Sequence, residues 1–141
     1  MNLALSKDQI ISSEKNQGIR TQGRIPTDLE LYQDHFPAFP VLPGVLGLEI
    51  LKQSIQLYYR VHAPNKYSHI SIRNLHNVKF TQFLKPGDEW QAELKLLEES
   101  DEQSIWQATM SSGQKTTISA QLCVALESQD TFHQAAIRKE E

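Results

Sequence analysis

The feature that most constrains the fold is a helix-length segment, residues 44–60, that is apolar around most of its circumference. Its polar side chains fall at positions i, i+3, i+4, i+7 and i+11, one stripe of a helix; they are Glu49, Lys52, Gln53, Gln56 and Arg60. A helix with a single polar stripe is buried on most sides. The rest of the chain must therefore supply a surface that wraps around it.

The other segments indicate strands rather than further helices. Apolar and polar residues alternate at 90–96 and most regularly at 118–126, a pattern typical of half-buried strands. Three further strand regions are predicted at 7–25 (two short strands), 69–84 (one long strand, bulged or bent) and 104–111. Turn residues lie between them, at Lys85–Asp88 and Ser112–Gln114. We therefore expect one α+β domain, an antiparallel sheet wrapped around one long central helix, with its core at about 7–127 and a polar tail at 128–141.

Composition excludes several classes of protein. Fourteen Lys and Arg residues stand against 17 Asp and Glu, giving a net charge of −3, which argues against nucleic acid as a partner. Cys123 is the only cysteine, so neither an intrachain disulfide nor a Cys-based zinc site is possible within one chain. No stretch approaches the roughly 18 apolar residues of a membrane-spanning helix, and the amino terminus lacks the apolar region of a secretory signal. We expect a cytoplasmic protein that does not enter the membrane.

Proline and glycine are concentrated just before the helix. The chain has six of each, and five of these residues fall within positions 37–47: Pro37, Pro40, Pro43, Gly44 and Gly47. Each proline fixes its own φ and disfavours helix in the residue before it, so this stretch is held extended. A helix can then begin at Gly44, whose bare backbone N–H would lie at the positive end of the helix dipole.

Two side chains near this helix start could carry chemistry. His35 precedes the proline-rich stretch, and Glu49 lies about one and a half turns into the helix. An imidazole and a carboxyl group beside backbone N–H donors suffice for one proton abstraction, one proton donation and stabilisation of an oxyanion. Spacing alone leaves simpler interpretations open: His35 as a packed loop residue, and Glu49 as part of a solvated helix face.

The segment HFPAFPVLPGVLGLE at 35–49 resembles the signature HFPxxPxxPGVLxxE of the 3-hydroxyacyl-acyl-carrier-protein dehydratases of fatty-acid synthesis. All three prolines, the Gly-Val-Leu and the His-to-Glu interval match. Gln53 falls where the family usually has Gln, and Val78–Phe80 with Leu84–Asp88 is similar to the family's strand and turn. The resemblance covers roughly residues 22–127.

This resemblance implies the hotdog fold and assigns roles by position. His35 would remove the substrate's α-proton, Glu49 would protonate the departing β-hydroxyl, and the N–H of Gly44 would stabilise the enolate-like oxygen. Gln53 would support Glu49. The candidate residues lining an acyl tunnel are Phe39, Leu46, Phe80 and Phe83.

The resemblance also implies partners. The substrate would be carried by an acyl carrier protein, and no metal or organic cofactor is needed. The active unit would be a homodimer whose sites combine His from one protomer with Glu from the other. A higher oligomer, or a heteromer with a related subunit, stays open.

Three departures from the family pattern keep other functions open. Asp34 stands where the family usually has Gly, beside His35, and Lys52 replaces a usual Ala near Glu49. The stretch at 24–29 is more similar to stand-alone dehydratases of aryl-polyene and related polyketide-like pathways than to the housekeeping enzyme. A hotdog thioesterase, with a carboxylate activating water, and a non-catalytic acyl-carrier-binding module are the two alternatives.

Overall fold

The computed structural model describes residues 4–27 and 44–128. After a short 3-10 helix at Lys7–Gln9, the elements in chain order are β1 (Ile10–Glu14), β2 (Gly18–Arg24), α1 (Gly44–His62), β3 (Tyr67–Phe80), β4 (Glu89–Glu99), β5 (Gln103–Ser112) and β6 (Lys115–Ser128). The polar tail from residue 129 onward lies outside the described residues. The strands form one antiparallel sheet in the order β1-β2-β4-β5-β6-β3. The expected architecture of a sheet around one helix is confirmed.

Helix α1 lies against β2, β3 and β4, with its apolar circumference in the core. Six apolar residues of the helix are buried, as its apolar circumference predicts: Leu48, Ile50, Leu51, Ile55, Leu57 and Tyr58. The polar stripe is only half-buried over most of its length, and Arg60 is exposed. One face of the helix is therefore left uncovered by this chain's own sheet.

A buried polar contact ties α1 to β2. The hydroxyls of Thr21 and Ser54 lie 2.8 Å apart and both residues are fully buried. Ser54 also donates to the carbonyl of Ile50 at 3.2 Å, so Thr21 is the donor in the pair. Because buried hydroxyls are costly without partners, this contact favours one position of the helix on the sheet.

The long strand β3 differs in its bounds from the prediction of 69–84. It begins at Tyr67 and ends at Phe80, after which Gln82 bends the chain and only Leu84 returns to an isolated bridge. The expected irregularity is present as three register shifts against β6, and Asn77 has a φ of 53° at the last of them. Strand β3 is an edge of the sheet, with its other side free of any partner strand from the described part of this chain.

The turn at Lys85–Asp88 forms as its sequence predicts. Asp88 N–H bonds the carbonyl of Lys85 at 3.0 Å, and Gly87 has a φ of 86°, which favours glycine. The Asp88 carboxylate accepts a further hydrogen bond from the Lys85 N–H at 2.8 Å.

No helix in the described part of the chain is long and apolar enough to cross a membrane.

Candidate functional site

The predicted site residues divide between described and undescribed parts of the chain. His35 and Phe39, together with Asp34, lie outside the described residues. Gly44 is the first residue of α1, and Glu49 lies further along the same helix. Their positions relative to one another follow from helix geometry.

The start of α1 is in contact with an aromatic ring. A Cβ atom on Gly44 would lie 2.6 Å from Cε1 of Phe80 and 2.9 Å from two more ring carbons. A side chain at position 44 would force the ring to move, so the structure brings Gly44 and Phe80, two of the predicted site residues, into close contact. Phe80 nonetheless remains 49% exposed and Phe83 66% exposed. Among the described residues, the Phe80 ring therefore leaves an apolar surface partly open to solvent beside the start of α1.

The other side of this first turn packs inward. Leu46 is partly buried and packs against the core cluster. Gly47 is buried against the side chain of Ile118 on β6, which would collide with a Cβ there. The first turn of α1 is therefore held against the sheet by close contact.

Glu49 is held by two neighbours on its own helix. The Gln53 Nε2 donates to Glu49 Oε1 at 3.0 Å, and the Lys52 Nζ lies 3.2 Å from the same oxygen. The Glu49 side chain is 36% exposed and that of Lys52 20%. The supporting contact expected from Gln53 is present, and the ammonium that departs from the family pattern is in direct contact with the carboxylate.

Gly44 and Glu49 do not face the same way. Five residues along an α-helix correspond to about 7.5 Å of rise and a rotation of about 140° around the axis. Glu49 therefore lies about one and a half turns from the helix start, on another side of the helix.

The segment that leads toward His35 is anchored by the Lys85–Asp88 turn. Ile25 N–H donates to the Asp88 carbonyl and Gly87 N–H to the Ile25 carbonyl, both at 2.8 Å. Arg24 adds bonds to the Gly87 carbonyl at 3.0 Å and to Glu89 Oε1 at 2.6 Å. The Arg24 contacts could not be predicted from local sequence, because the partners lie 63 and 65 residues away.

The carboxyl end of α1 is fixed by aromatic packing. Tyr58 and Tyr59 each make edge contacts with Trp106, and the Tyr59 hydroxyl donates to Glu99 Oε2 at 2.7 Å. Burial raises the pKa of Tyr59 far above its ordinary value, so the hydroxyl stays a donor. Burial also lowers the pKa of His62, whose Nε2 lies 2.7 Å from the hydroxyl of Ser13. These contacts fix the helix along its axis.

Within residues 4–27 and 44–128, no group of three or more His, Cys, Asp or Glu side chains is placed to hold a metal ion. Cys123, a free thiol, is buried on β6.

The chain matches the model of a known protein family. The family model of the ApeI-like proteins, described as ApeI dehydratase, matches residues 11–121. The chain is similar to the 3-hydroxyacyl-acyl-carrier-protein dehydratase FabZ of Bacillus subtilis strain 168, with 27% identity over 90 residues, 64% of each chain. It is also similar to the FabZ of Protochlamydia amoebophila strain UWE25, with 33% identity over 82 residues, 57% of this chain and 53% of the relative. The chain therefore spans less than two thirds of the length of these relatives.

Solved structures match the fold over more of the chain. A chain of the dehydratase heterocomplex ApeI:P from Xenorhabdus doucetiae aligns with a TM-score of 0.74 and 14% identity, covering 91% of this chain and 86% of that one. A mutant of the fluoroacetyl-CoA-specific thioesterase FlK aligns with a TM-score of 0.67 and 15% identity, covering 92% and 100%. These likenesses confirm the predicted hotdog fold.

Proposed function

Because this chain belongs to the ApeI-like dehydratase family, we propose that it removes water from 3-hydroxyacyl thioesters on an acyl carrier protein and releases trans-2-enoyl thioesters. The observation that carries the proposal is the family match over residues 11–121, which spans the whole segment from His35 to Glu49. The FabZ relatives, which are 3-hydroxyacyl-acyl-carrier-protein dehydratases by name, support the same substrate class.

The proposed reaction uses one base, one acid and one oxyanion donor. The His35 imidazole takes the α-proton, and the electron pair moves toward the thioester oxygen, which accepts a hydrogen bond from Gly44 N–H. The pair then returns to form the α,β double bond as the β carbon–oxygen bond breaks. The Glu49 carboxyl supplies the proton that lets the hydroxyl leave as water.

We place each site between two copies of the chain. The family resemblance supports this, since it implies that the His and the Glu of one site come from different protomers: His35 of one copy would act with Glu49 of the other. The half-buried polar stripe of α1 and the free edge of β3 are surfaces that a second copy can cover. The proposed assembly is a homodimer. In a heteromer, a related subunit would take the place of the second copy.

The acyl chain would lie along the apolar surface at the start of α1. Phe80 is exposed beside Gly44, Leu46 lies in the first turn, and Phe83 is exposed three residues along the chain from Phe80; Phe39 is the fourth proposed lining residue. The segment 79–85, which carries both exposed rings, has lysines at its two ends and no carboxylate. Such a surface suits an acidic carrier protein that delivers an apolar chain.

The proposed setting is a cytoplasmic pathway of the fatty-acid or aryl-polyene type. The resemblance of residues 24–29 to stand-alone dehydratases supports the aryl-polyene type. In this structure the same stretch bears Arg24 and Ile25, which join the turn before β4.

Mass spectrometry of the carrier tests the function. We expect 3-hydroxyoctanoyl chains on acyl carrier protein to lose the mass of one water when incubated with the protein, and to stay unchanged without it. Free acid as the sole product would replace the dehydratase with a thioesterase. An unchanged carrier that still binds would leave a non-catalytic carrier-binding module.

A further inference from the structure

A cavity of about 340 Å³ lies between the carboxyl-terminal half of α1 and the start of β3. Three of its lining side chains can carry a positive charge: Lys7, Arg60 and His69. No aspartate or glutamate lines it in the described part of the chain. Its volume falls within the range of about 300–1,000 Å³ that is typical of small-molecule sites. The cavity can therefore hold part of a ligand, and its charges favour an anion.

The three cationic side chains of the cavity are not already paired. None of them has an ion-pair partner or a side-chain hydrogen bond among residues 4–27 and 44–128. Glu127 stands opposite His69 in the register of β6 and β3, yet the two side chains form no ion pair. On β2, by contrast, Arg20 lies 3.9 Å from a glutamate of β4 and Arg24 lies 2.6 Å from another. An anion that enters the cavity thus meets charges with no competing carboxylate bound to them.

Two tyrosine rings give the cavity a rigid wall. Tyr59 and Tyr67 both line it, and their ring centroids lie 5.1 Å apart in an edge contact. The Tyr59 hydroxyl donates to Glu99, which is not a lining residue, and the Lys66 Nζ lies 5.3 Å from the centroid of Tyr67. Because the rings are held by these contacts, less conformational freedom is lost when a ligand binds beside them.

The polar stripe of α1 runs from the proposed acid to this cavity, through Glu49, Gln53, Gln56 and Arg60. Its ends are eleven residues apart, which on an α-helix is about 16 Å of rise and about three turns, so they lie on the same side. The stripe is the face of α1 that the described residues leave half-buried. A chain that extends from Glu49 along this face therefore reaches the cavity.

We propose that the cavity binds the far end of the substrate's acyl chain and that this end is a carboxylate, so that the preferred substrates are 3-hydroxyacyl thioesters of dicarboxylic acids. The inference rests on the proposed function, since it places the β carbon of the substrate at Glu49. In the shared site, the carbons next to the thioester lie at the apolar start of α1 in one copy. The rest of the chain follows the polar stripe of α1 in the other copy.

The cavity discriminates between chain ends by their hydrogen bonds. The planar guanidinium of Arg60 can donate to both oxygens of a carboxylate, and Lys7 and His69 add donors beside it. A methyl end would displace water from these side chains without replacing its hydrogen bonds, which is unfavourable. Arg60 therefore determines the preference for a charged end.

Helix geometry also sets the chain length. With carbon–carbon bonds of about 1.5 Å, an extended chain needs roughly eleven bonds beyond the β carbon to bring a terminal carboxylate within hydrogen-bonding distance of Arg60. The 3-hydroxytetradecanedioyl chain has this length. The 3-hydroxyoctanedioyl chain ends well short of the cavity and gains nothing from its second carboxylate.

Acyl carrier proteins charged with matched chains test the inference. The kcat/KM for dehydration is measured with 3-hydroxytetradecanedioyl, with methyl-ended 3-hydroxytetradecanoyl, and with a chain of the same length that ends in a hydroxyl. We expect the wild type to prefer the carboxylate end about tenfold over both others, the effect of one hydrogen bond between charged groups. Added salt is expected to reduce this preference. The 3-hydroxyoctanedioyl chain is expected to show no advantage over 3-hydroxyoctanoyl.

Variants of one arginine assign the preference to the cavity. Arg60→Met is expected to bring the ratio of the carboxylate-ended to the methyl-ended rate to about one, whereas Arg60→Lys, which keeps a cation, retains a preference. Arg20→Met, on β2 and outside the cavity, is the matched control and is expected to keep the wild-type ratio. Binding of the tetradecanedioyl and tetradecanoyl carriers, which have no β-hydroxyl, gives the same comparison without turnover.

The contrary results are distinct. Equal rates and equal binding for the carboxylate and methyl ends in the wild type, or an equal preference for the hydroxyl end, would overturn the inference and leave the dehydratase in place. A preference that survives Arg60→Met would also overturn it, even if the variant melts at a lower temperature, because a charge that only stabilises the helix end predicts that result. Binding that favours the carboxylate end through Arg60, without dehydration of any chain, would support the cavity's role and reject the proposed dehydratase.

Discussion

Replacing His35 with alanine is expected to lower dehydration by about 10²- to 10⁴-fold, the usual contribution of a general base. In the proposed reaction no other group takes the α-proton, so the methyl side chain leaves the first bond unbroken. The measurement is the rate of enoyl thioester formation from the 3-hydroxyoctanoyl carrier. Retention of the fold and assembly is checked by circular dichroism and by size in solution.

The matched control is His69→Ala, which removes an exposed imidazole from β3. It is expected to keep wild-type turnover. Near-normal turnover in His35→Ala would show that the histidine takes no part in the reaction. His35 would then be a packed loop residue.

Replacing Glu49 with glutamine is expected to lower dehydration by a similar factor, about 10²- to 10⁴-fold. Glutamine keeps the size of the side chain and can still form a hydrogen bond with Gln53, but it has no acidic proton for the leaving hydroxyl.

The His35→Ala and Glu49→Gln variants differ in the substrate bond whose cleavage they prevent. In deuterated solvent, Glu49→Gln is expected to exchange the α-proton of the substrate without losing water, whereas His35→Ala exchanges none.

Glu93→Gln, on the outward side of β4, is the control for loss of one carboxylate. Full dehydration by Glu49→Gln would show that another group protonates the hydroxyl. Loss of α-exchange in Glu49→Gln would instead mean that both residues act on the first bond.

Local patterns predicted the helix, the strands and a sheet around one helix, but not every strand end. The apolar circumference of residues 44–60 predicted a buried helix, and α1 continues only two residues further, to His62. The turn at Lys85–Asp88 was predictable because proline and glycine determine its backbone. The end of β3 at Phe80 was not, because it depends on register shifts against β6, a strand more than thirty residues away in sequence.

In the candidate site, too, contacts within one helix could be predicted and contacts between distant segments could not. Gly44 and Glu49 could be located from the motif, and the contact of Lys52 with Glu49 follows from their spacing on one helix. The Phe80 ring against Gly44 and the anchoring of Ile25 by the later turn could not be predicted, since each joins distant segments. The roles of His35 and Phe39, outside the described residues, stay predictions.

The central claim is a dehydratase site that takes His35 from one copy of the chain and Glu49 from another. Co-expressing the inactive His35→Ala and Glu49→Gln chains, with different tags, and purifying by both tags in succession tests it directly. Each mixed dimer then holds one site with both residues intact and one with neither. We predict that the mixed dimers regain about half of the wild-type dehydration rate, since one of their two sites is complete. Mixed dimers as inactive as either parent would contradict the account.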